Sequence, residues 1–328
     1  MQDTFGRTIT YLRISITDRC NLRCIYCMPE EGVPWIPSSE IMRYEEIALV
    51  VRAMCHLGAY KYRITGGEPL TRKEVPKLVA MLKEIPGVKD IALSTNGILL
   101  AAYAKELAGA GLNRINVSLD TLRPDRFERI ARRRGLDKVF EGLYKAEEVG
   151  LYPIKVNMVV MRGFNDDEIE DFARLTLEHD WQVRFIELMP LESNTMLGPN
   201  VYVSCDEILS KVMALGDLEP LPRRPEDGPS RYFHIAGAKG NIGVISPLSH
   251  TFCAVCNRVR LTAQGKLRLC LFGDAEVDLK TPIRNGAGVE EIKEIIQASM
   301  AIKPERHFLI ERGADASETL IAMSQVGG

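Results

Sequence analysis

The sequence predicts an α/β protein: a partial (β/α)6 barrel over residues 1–200, then a C-terminal extension, residues 201–328, of short antiparallel strands and helices carrying a second cysteine triplet. Three observations lead there. Strand-like and helix-like segments alternate through six units, the pattern of a parallel sheet with helices outside it. Polar residues (Arg13, Lys61, Arg63, Asn116, Ser118, Lys155, Asn157 and Arg184) sit inside those strands. A doubly wound sheet would bury them between helical layers at high cost, whereas an open barrel gives them a wet lumen. Edge positions or interior ion pairs could explain any one of them but explain the whole set poorly. Finally, Cys20, Cys24 and Cys27 follow the first strand, at the strand end where barrels gather their functional residues.

Each element has its own signal. Leu12, Ile14 and Ile16 alternate with Arg13, Ser15 and Thr17 in the first strand. Ile47, Val50, Val51 and Met54 form a helical stripe within Tyr44–Leu57, which Gly58 stops. Arg43 stands where Ser or Thr would cap that helix, so its start is expected to fray. Strands follow at Tyr60–Thr65, Asp90–Thr95, Arg114–Leu119, Ile154–Val160 and Val183–Met189. Between them lie helices at Arg72–Ile85, Leu99–Ala110, Pro124–Arg132, Leu136–Val149 and Asp166–His179. Prolines and charge crowd Glu219–Arg231 into a loop. Short strands are expected at Arg231–Ile235, Asn241–Ile245, Arg258–Thr262 and Lys266–Leu271.

Composition narrows the function classes. A chain of 328 residues with 46% hydrophobic content has an ample core, and it lacks an apolar run able to span a membrane. Met1–Thr10 is polar, without the apolar stretch of a signal peptide, so a cytoplasmic location is expected. Eight cysteines in such a chain point to metal or catalysis rather than disulfides. A net charge of −2 gives no overall field for nucleic acid, so any anionic ligand needs a local basic cluster.

The first triplet has the spacing C-x3-C-x2-C. Three thiolates can hold a 4Fe–4S cube and leave one iron open. A closed zinc site takes four ligands, and no His or fourth Cys lies near in sequence. The second triplet, Cys253, Cys256 and Cys270, reads C-x2-C-x13-C. Here zinc and iron–sulfur stand even on spacing, since His250 or Cys205 could complete a zinc site. Cys55, on a helix stripe, and Cys205, at a helix start, read as structural. Gly66-Gly67-Glu68-Pro69 after the second strand permits close backbone approach to a ligand.

The first triplet, with Tyr26 inside it, and the Gly-Gly-Glu-Pro turn together resemble the signature of radical S-adenosylmethionine (SAM) enzymes. The segments Phe252–Leu271 and Arg184–Pro190, with the terminal Gly327-Gly328, resemble the GTP 3′,8-cyclase family of molybdenum cofactor biosynthesis over nearly the whole chain. That resemblance implies two 4Fe–4S clusters, the first on Cys20, Cys24 and Cys27, the second on Cys253, Cys256 and Cys270 with its open iron facing guanine. It implies SAM contacts at Tyr26, Gly67, Ser118 and Met189. GTP contacts are implied at Arg13, Lys61, Arg63, Ser94, Lys155, Arg258, Val259 and Arg260. Arg13, Gly327 and Gly328 take catalytic roles, the tail reaching into the active site. The implied chemistry is reductive cleavage of SAM, hydrogen abstraction from C3′ of the ribose, attack of C3′ on guanine C8, and a closing electron and proton. Its partners are GTP, an external one-electron donor and a downstream enzyme making the cyclic pyranopterin; a homodimer is left open. Departures from the pattern are small: Ser94 where Thr is common, Gln264 for Asp, and Val326 for Ile.

Two other classes compete. Another radical SAM enzyme with an auxiliary cluster, such as a peptide-modifying maturase, would usually carry more C-terminal cysteines and lack the Arg258/Arg260 pair. A non-enzymatic zinc module would bind metal without iron or sulfide. Anaerobic iron and sulfide analysis separates the zinc module from the enzymes, and turnover of GTP separates the enzymes.

Overall fold

Six parallel strands with helices packed on their outer face form the centre of the molecule, seen in a computed structural model that describes residues 1–190, 197–198, 200–223 and 228–307. They are β1 (Tyr11–Ser15), β2 (Lys61–Thr65), β3 (Asp90–Thr95), β4 (Arg114–Ser118), β5 (Ile154–Val160) and β6 (Trp181–Glu187), paired in chain order. The helices are α1 (Tyr44–His56), α2 (Val75–Lys83), α3 (Leu100–Gly109), α4 (Pro124–Ala131), α5 (Leu136–Glu148) and α6 (Ile169–Glu178). Alternation along the strands divides the two faces. Leu12, Ile14, Tyr62, Ile64, Ile91, Leu93, Ile115, Val117, Val156 and Phe185 are fully buried in the core under the helices. Their neighbours of opposite parity face inward, as the polar pattern requires.

The C-terminal part contributes α7 (Cys205–Val212), β7 (Leu218–Pro220), β8 (Arg231–Ile235), β9 (Asn241–Ile245), β10 (Arg258–Leu261), β11 (Lys266–Arg268), β12 (Glu276–Asp278), α8 (Lys280–Arg284) and α9 (Val289–Ser299). The expected short strands β8 to β11 pair as antiparallel hairpins, β8 with β9 and β10 with β11, while Leu218–Pro220, at the start of the stretch expected to be loop, is instead the strand β7, paired antiparallel with Phe233–Ile235 of β8. Two of these strands do more than form hairpins. β9 pairs parallel with β6, and β10 pairs parallel with β1, so both open edges of the six-stranded unit are covered. All twelve strands among the described residues thus form one sheet, in the order β12-β11-β10-β1-β2-β3-β4-β5-β6-β9-β8-β7.

Two further local expectations change. The start of α1 is held rather than frayed: the Glu46 carboxylate accepts the Arg43 backbone N–H at 2.7 Å and also the guanidinium groups of Arg43 and Arg284 at 3.0 Å each. An acid at the third helical position thus replaces the missing Ser or Thr. α2 begins at Val75 rather than Arg72, because Arg72 reaches back to the carbonyls of Ile16 and Met42 at 2.6 and 2.8 Å, and Glu74 takes a left-handed φ of 59°. No described helix is long and apolar enough to cross a membrane.

Candidate active site

The inward residues of neighbouring strands stack in rows. Arg260, Arg13, Arg63, Ala92 and Arg114 lie in one row across β10, β1, β2, β3 and β4. Below it lie Arg258, Tyr11, Lys61 and Asp90. Ser94, Asn116 and Lys155 form a third row, and Ser118, Asn157 and Arg184 a fourth. These rows enclose a cavity of about 310 Å³. Eight basic side chains line it (Arg13, Lys61, Arg63, Arg114, Lys155, Arg184, Arg258 and Arg260) against the acids Asp120 and Glu187, among the described residues. This local cluster is what a chain of net charge −2 needs to hold a polyanion.

Crowding of like charge shapes their protonation. Burial, then Arg184, Arg114, Arg63 and Lys61, hold the Lys155 amine down to about 5. Lys155 donates to the Tyr232 hydroxyl on β8 at 2.9 Å. Burial and Arg114 bring Lys61 to about 8. Burial lowers Arg63 and Arg260 to about 10 each, with the field of Arg184 adding at Arg63 and that of Arg258 at Arg260. Burial would raise the Tyr11 phenol, but the combined field of Arg63, Arg13 and Lys61 outweighs it and lowers it. Several buried atoms here, including Tyr11 Oη, Arg63 Nε and Arg114 Nε, have no partner within the protein. Arg184 is held by Asn157 Oδ1 and Asn116 Oδ1, each at 2.8 Å.

Cys20, Cys24 and Cys27 open on one side of this cavity, on the loop leaving β1. The turn after β2 positions that loop. Gly67 N–H donates to Thr17 O at 2.8 Å and Glu68 N–H to Arg19 O at 2.7 Å. A Cβ on Gly67 would lie 2.4 Å from Arg19 O, and one on Gly66 2.5 Å from Thr17 O. The glycines are therefore demanded by the cysteine loop itself, not only by a ligand. Glu68 is buried and accepts from Leu70 N, Thr95 Oγ1 and Asn96 N at 3.0, 2.8 and 2.6 Å, with burial raising it to about 7. Tyr26 donates to Asp120 Oδ2 at 2.8 Å, while Val159 N–H binds the other oxygen at 2.9 Å. Burial raises Asp120 to about 6.

Cys253, Cys256 and Cys270 open on the same cavity. Cys253 begins a short 3₁₀ turn, and the Cys256 N–H donates to its carbonyl at 3.1 Å. Glu187, ending β6, fastens the preceding loop by accepting from Leu248 N, Ser249 N and Ser249 Oγ. The two residues that could complete zinc lie elsewhere. Cys205 is buried at the start of α7, and His250 Nε2 faces Asp206 at 3.0 Å; neither lines the cavity.

None of the eight cysteines forms a disulfide. Among the described residues no three His, Cys, Asp or Glu side chains converge tightly enough for a single ion. Thiolates on one tetrahedral zinc would stand about 3.8 Å apart, given a Zn–S bond near 2.3 Å. A four-iron cube instead takes its thiolates on separate irons. Three cysteines per side, without a fourth ligand, fit such cubes.

Of the residues singled out in the sequence, Tyr26, Gly67, Ser118, Met189, Arg13, Lys61, Arg63, Ser94, Lys155, Arg258, Val259 and Arg260 all line the cavity with the six cysteines. The Val259 side chain belongs to the core, which leaves its backbone for any ligand. Gly327 and Gly328 lie outside the described residues. Arg114, Tyr11 and Tyr232 escaped the sequence reading. Arg114 shares the parity of Asn116 and Ser118 and could have been found that way, whereas Tyr232 arrives on a strand whose neighbours only the fold specifies.

Comparison with known proteins follows the same division. The Radical SAM superfamily model matches residues 14–176, and the Molybdenum Cofactor Synthesis C model matches residues 181–309. The GTP 3′,8-cyclase of Pelotomaculum thermopropionicum is 50% identical over 100% of both chains, and that of Moorella thermoacetica 49% identical over 100% of both. Among solved structures, Streptococcus suis SuiB bound to S-adenosylmethionine aligns with a TM-score of 0.60 at 14% identity, covering 87% of this chain and 68% of that one. SuiB bound to its precursor peptide SuiA gives 0.61 at 15% identity, covering 83% and 63%. At these identities the likeness to SuiB is one of fold.

Proposed function

The chain belongs to the radical SAM GTP 3′,8-cyclase family, and on that premise we propose how its cavity serves the reaction. The activity is conversion of GTP to 3′,8-cyclo-7,8-dihydro-GTP in molybdenum cofactor biosynthesis, with two 4Fe–4S clusters and SAM as cofactors. One observation carries the assignment of residues: both cysteine triplets and the eight basic side chains between them line one cavity.

Cys20, Cys24 and Cys27 would hold the first cluster, and Cys253, Cys256 and Cys270 the second. When bound, the first cluster with SAM supplies the radical chemistry at the ribose, and the second offers an open iron to the guanine. Tyr26, Gly67, Ser118 and Met189 would contact SAM. Ser118 supports this, since it is the exposed residue at the end of an otherwise buried β4. Arg13, Lys61, Arg63, Lys155, Arg258 and Arg260 would bind the triphosphate, with Arg114 and Arg184 added by the geometry. Ser94 supplies a hydroxyl beside them, and Val259 a backbone contact. A triphosphate offsets the mutual repulsion of the arginines and can accept from the buried Nε–H groups of Arg63 and Arg114. The barrel wall excludes water around the reacting ribose. We assign residues 1–200 to the SAM half, 201–328 to the half bearing the second cluster, and a catalytic role to Gly327 and Gly328. An external one-electron donor and a downstream enzyme that forms the cyclic pyranopterin complete the reading.

Anaerobic incubation with reductant, SAM and GTP, followed by mass analysis, tests it. The expected product has the mass of GTP with an altered fragmentation pattern, formed together with 5′-deoxyadenosine and methionine. 5′-Deoxyadenosine without any GTP-derived product would exclude the cyclase assignment of these residues.

A further inference from the structure

Behind the second triplet, outside the cavity, two buried cations grip the backbone from which its thiols project. Arg7 Nη1 donates to Cys253 O at 3.0 Å and Glu305 O at 2.6 Å, and Nη2 to Pro304 O at 2.6 Å. Asp3 Oδ2 accepts from Arg7 Nε at 2.6 Å and holds it in place. Lys303 Nζ donates to Arg258 O at 3.1 Å and to Leu269 O. Those carbonyls belong to Cys253 itself, to the residue two past Cys256, and to the residue before Cys270. Arg7 is 7% exposed and Lys303 3%, and neither lines the cavity, so neither is placed to touch substrate.

The first triplet has different surroundings. Buried carboxylates, Glu68 and Asp120, stand beside it, and the cations on its backbone, Arg23 on Cys20 O at 2.7 Å and Arg132 on Arg23 O and Met28 O at 3.4 and 3.2 Å, are only half-buried.

Resting on the two-cluster reading above, we propose that Arg7 and Lys303 are positioning residues for the second cluster and set its reduction potential above that of the first. One electron entering a four-iron cluster adds one unit of negative charge with no proton. Net charge and hydrogen bonding around such clusters set their potentials, and a buried cation is weakly screened. Asp3 offsets much of the Arg7 charge, so Lys303 contributes most of the electrostatic effect and Arg7 most of the positioning.

The test uses the full chain with Cys20, Cys24 and Cys27 replaced by Ala, so that only the second cluster is read, in an anaerobic dithionite titration followed by electron paramagnetic resonance. Lys303→Met should move half-reduction to lower potential, and Lys303→Arg should restore it. Arg7→Gln should broaden the spectrum or lower the iron bound at this triplet, with a smaller shift in potential. In the otherwise intact chain, Lys303→Met should leave SAM cleavage in the absence of GTP unchanged. If Lys303→Met loses its thermal transition altogether, Arg7→Gln carries the decision. Unchanged potential and spectrum in every folded variant overturns the proposal, as does a wild-type second cluster that reduces below the first. A second triplet that loads no cluster even in the wild-type background overturns instead the two-cluster reading.

Discussion

The pH dependence of GTP affinity isolates Lys155. In the substrate-free protein its amine sits near 5 rather than its ordinary 10.5, because it is buried and faces Arg184, Arg114, Arg63 and Lys61. At neutral pH it is therefore an uncharged amine bonded to the Tyr232 hydroxyl. A triphosphate reverses the local field, so binding should draw one proton onto Lys155. Linkage then makes affinity fall as pH rises, about tenfold per pH unit between the free and bound pKa values. From about pH 6 to about pH 7.5 the expected loss is about 30-fold. Lys61, at about 8, stays mostly protonated in that window. Anaerobic titration calorimetry in two buffers of different ionisation enthalpy reads the proton directly. Ionisation of GTP itself affects wild type and Lys155→Met alike, so their difference reports the lysine. Stability carries the opposite sign. Between about 5 and 10.5 the unfolded chain holds a proton that the folded one lacks at Lys155, so stability rises with pH through that range. Near pH 7 the cost to the folded state is on the order of 3–5 kcal/mol. Lys155→Met should thus melt higher without substrate while binding GTP more weakly. Identical pH slopes and proton counts in the two proteins would refute the reasoning.

Three further outcomes are expected. Replacing Cys20, Cys24 and Cys27 by Ala should abolish SAM cleavage, whereas replacing Cys253, Cys256 and Cys270 should leave some cleavage and stop cyclisation; reconstituted wild-type protein holding only about four irons per chain rules out two clusters. Arg63 has a buried Nε without a protein partner, so Arg63→Ala should weaken GTP binding about tenfold to 150-fold, the worth of a hydrogen bond to a charged group. Both clusters should stay loaded in that variant, and an unchanged Kd removes Arg63 from the site. Gly67→Ala places a Cβ 2.4 Å from Arg19 O, so it should displace the first cysteine loop and cost about half of the bound iron; full iron content with normal SAM cleavage would show that the contact is readily relaxed.

Some of this protein was legible residue by residue. Polar Arg13, Arg63, Asn116 and Lys155 alternate with fully buried Leu12, Ile64, Val117 and Val156, and a strand's two faces are encoded by that alternation alone. The barrel and its wet lumen followed, as did the first cysteine triplet, whose ligands lie within one loop. Periodicity says which way a side chain faces, but not which strand lies beside it. Only the fold brings β10 against β1 and β9 against β6, and it is this pairing that carries the second triplet to the same cavity as the first. The contact of Lys155 with Tyr232 also depends on a neighbour that local pattern leaves open. So does the seating of Arg7 and Lys303 behind the second triplet, since Arg7 and Cys253 meet only once the sheet has closed its edges. Local sequence supplied the chemical groups and their facing; long-range strand pairing decided which of them share a space.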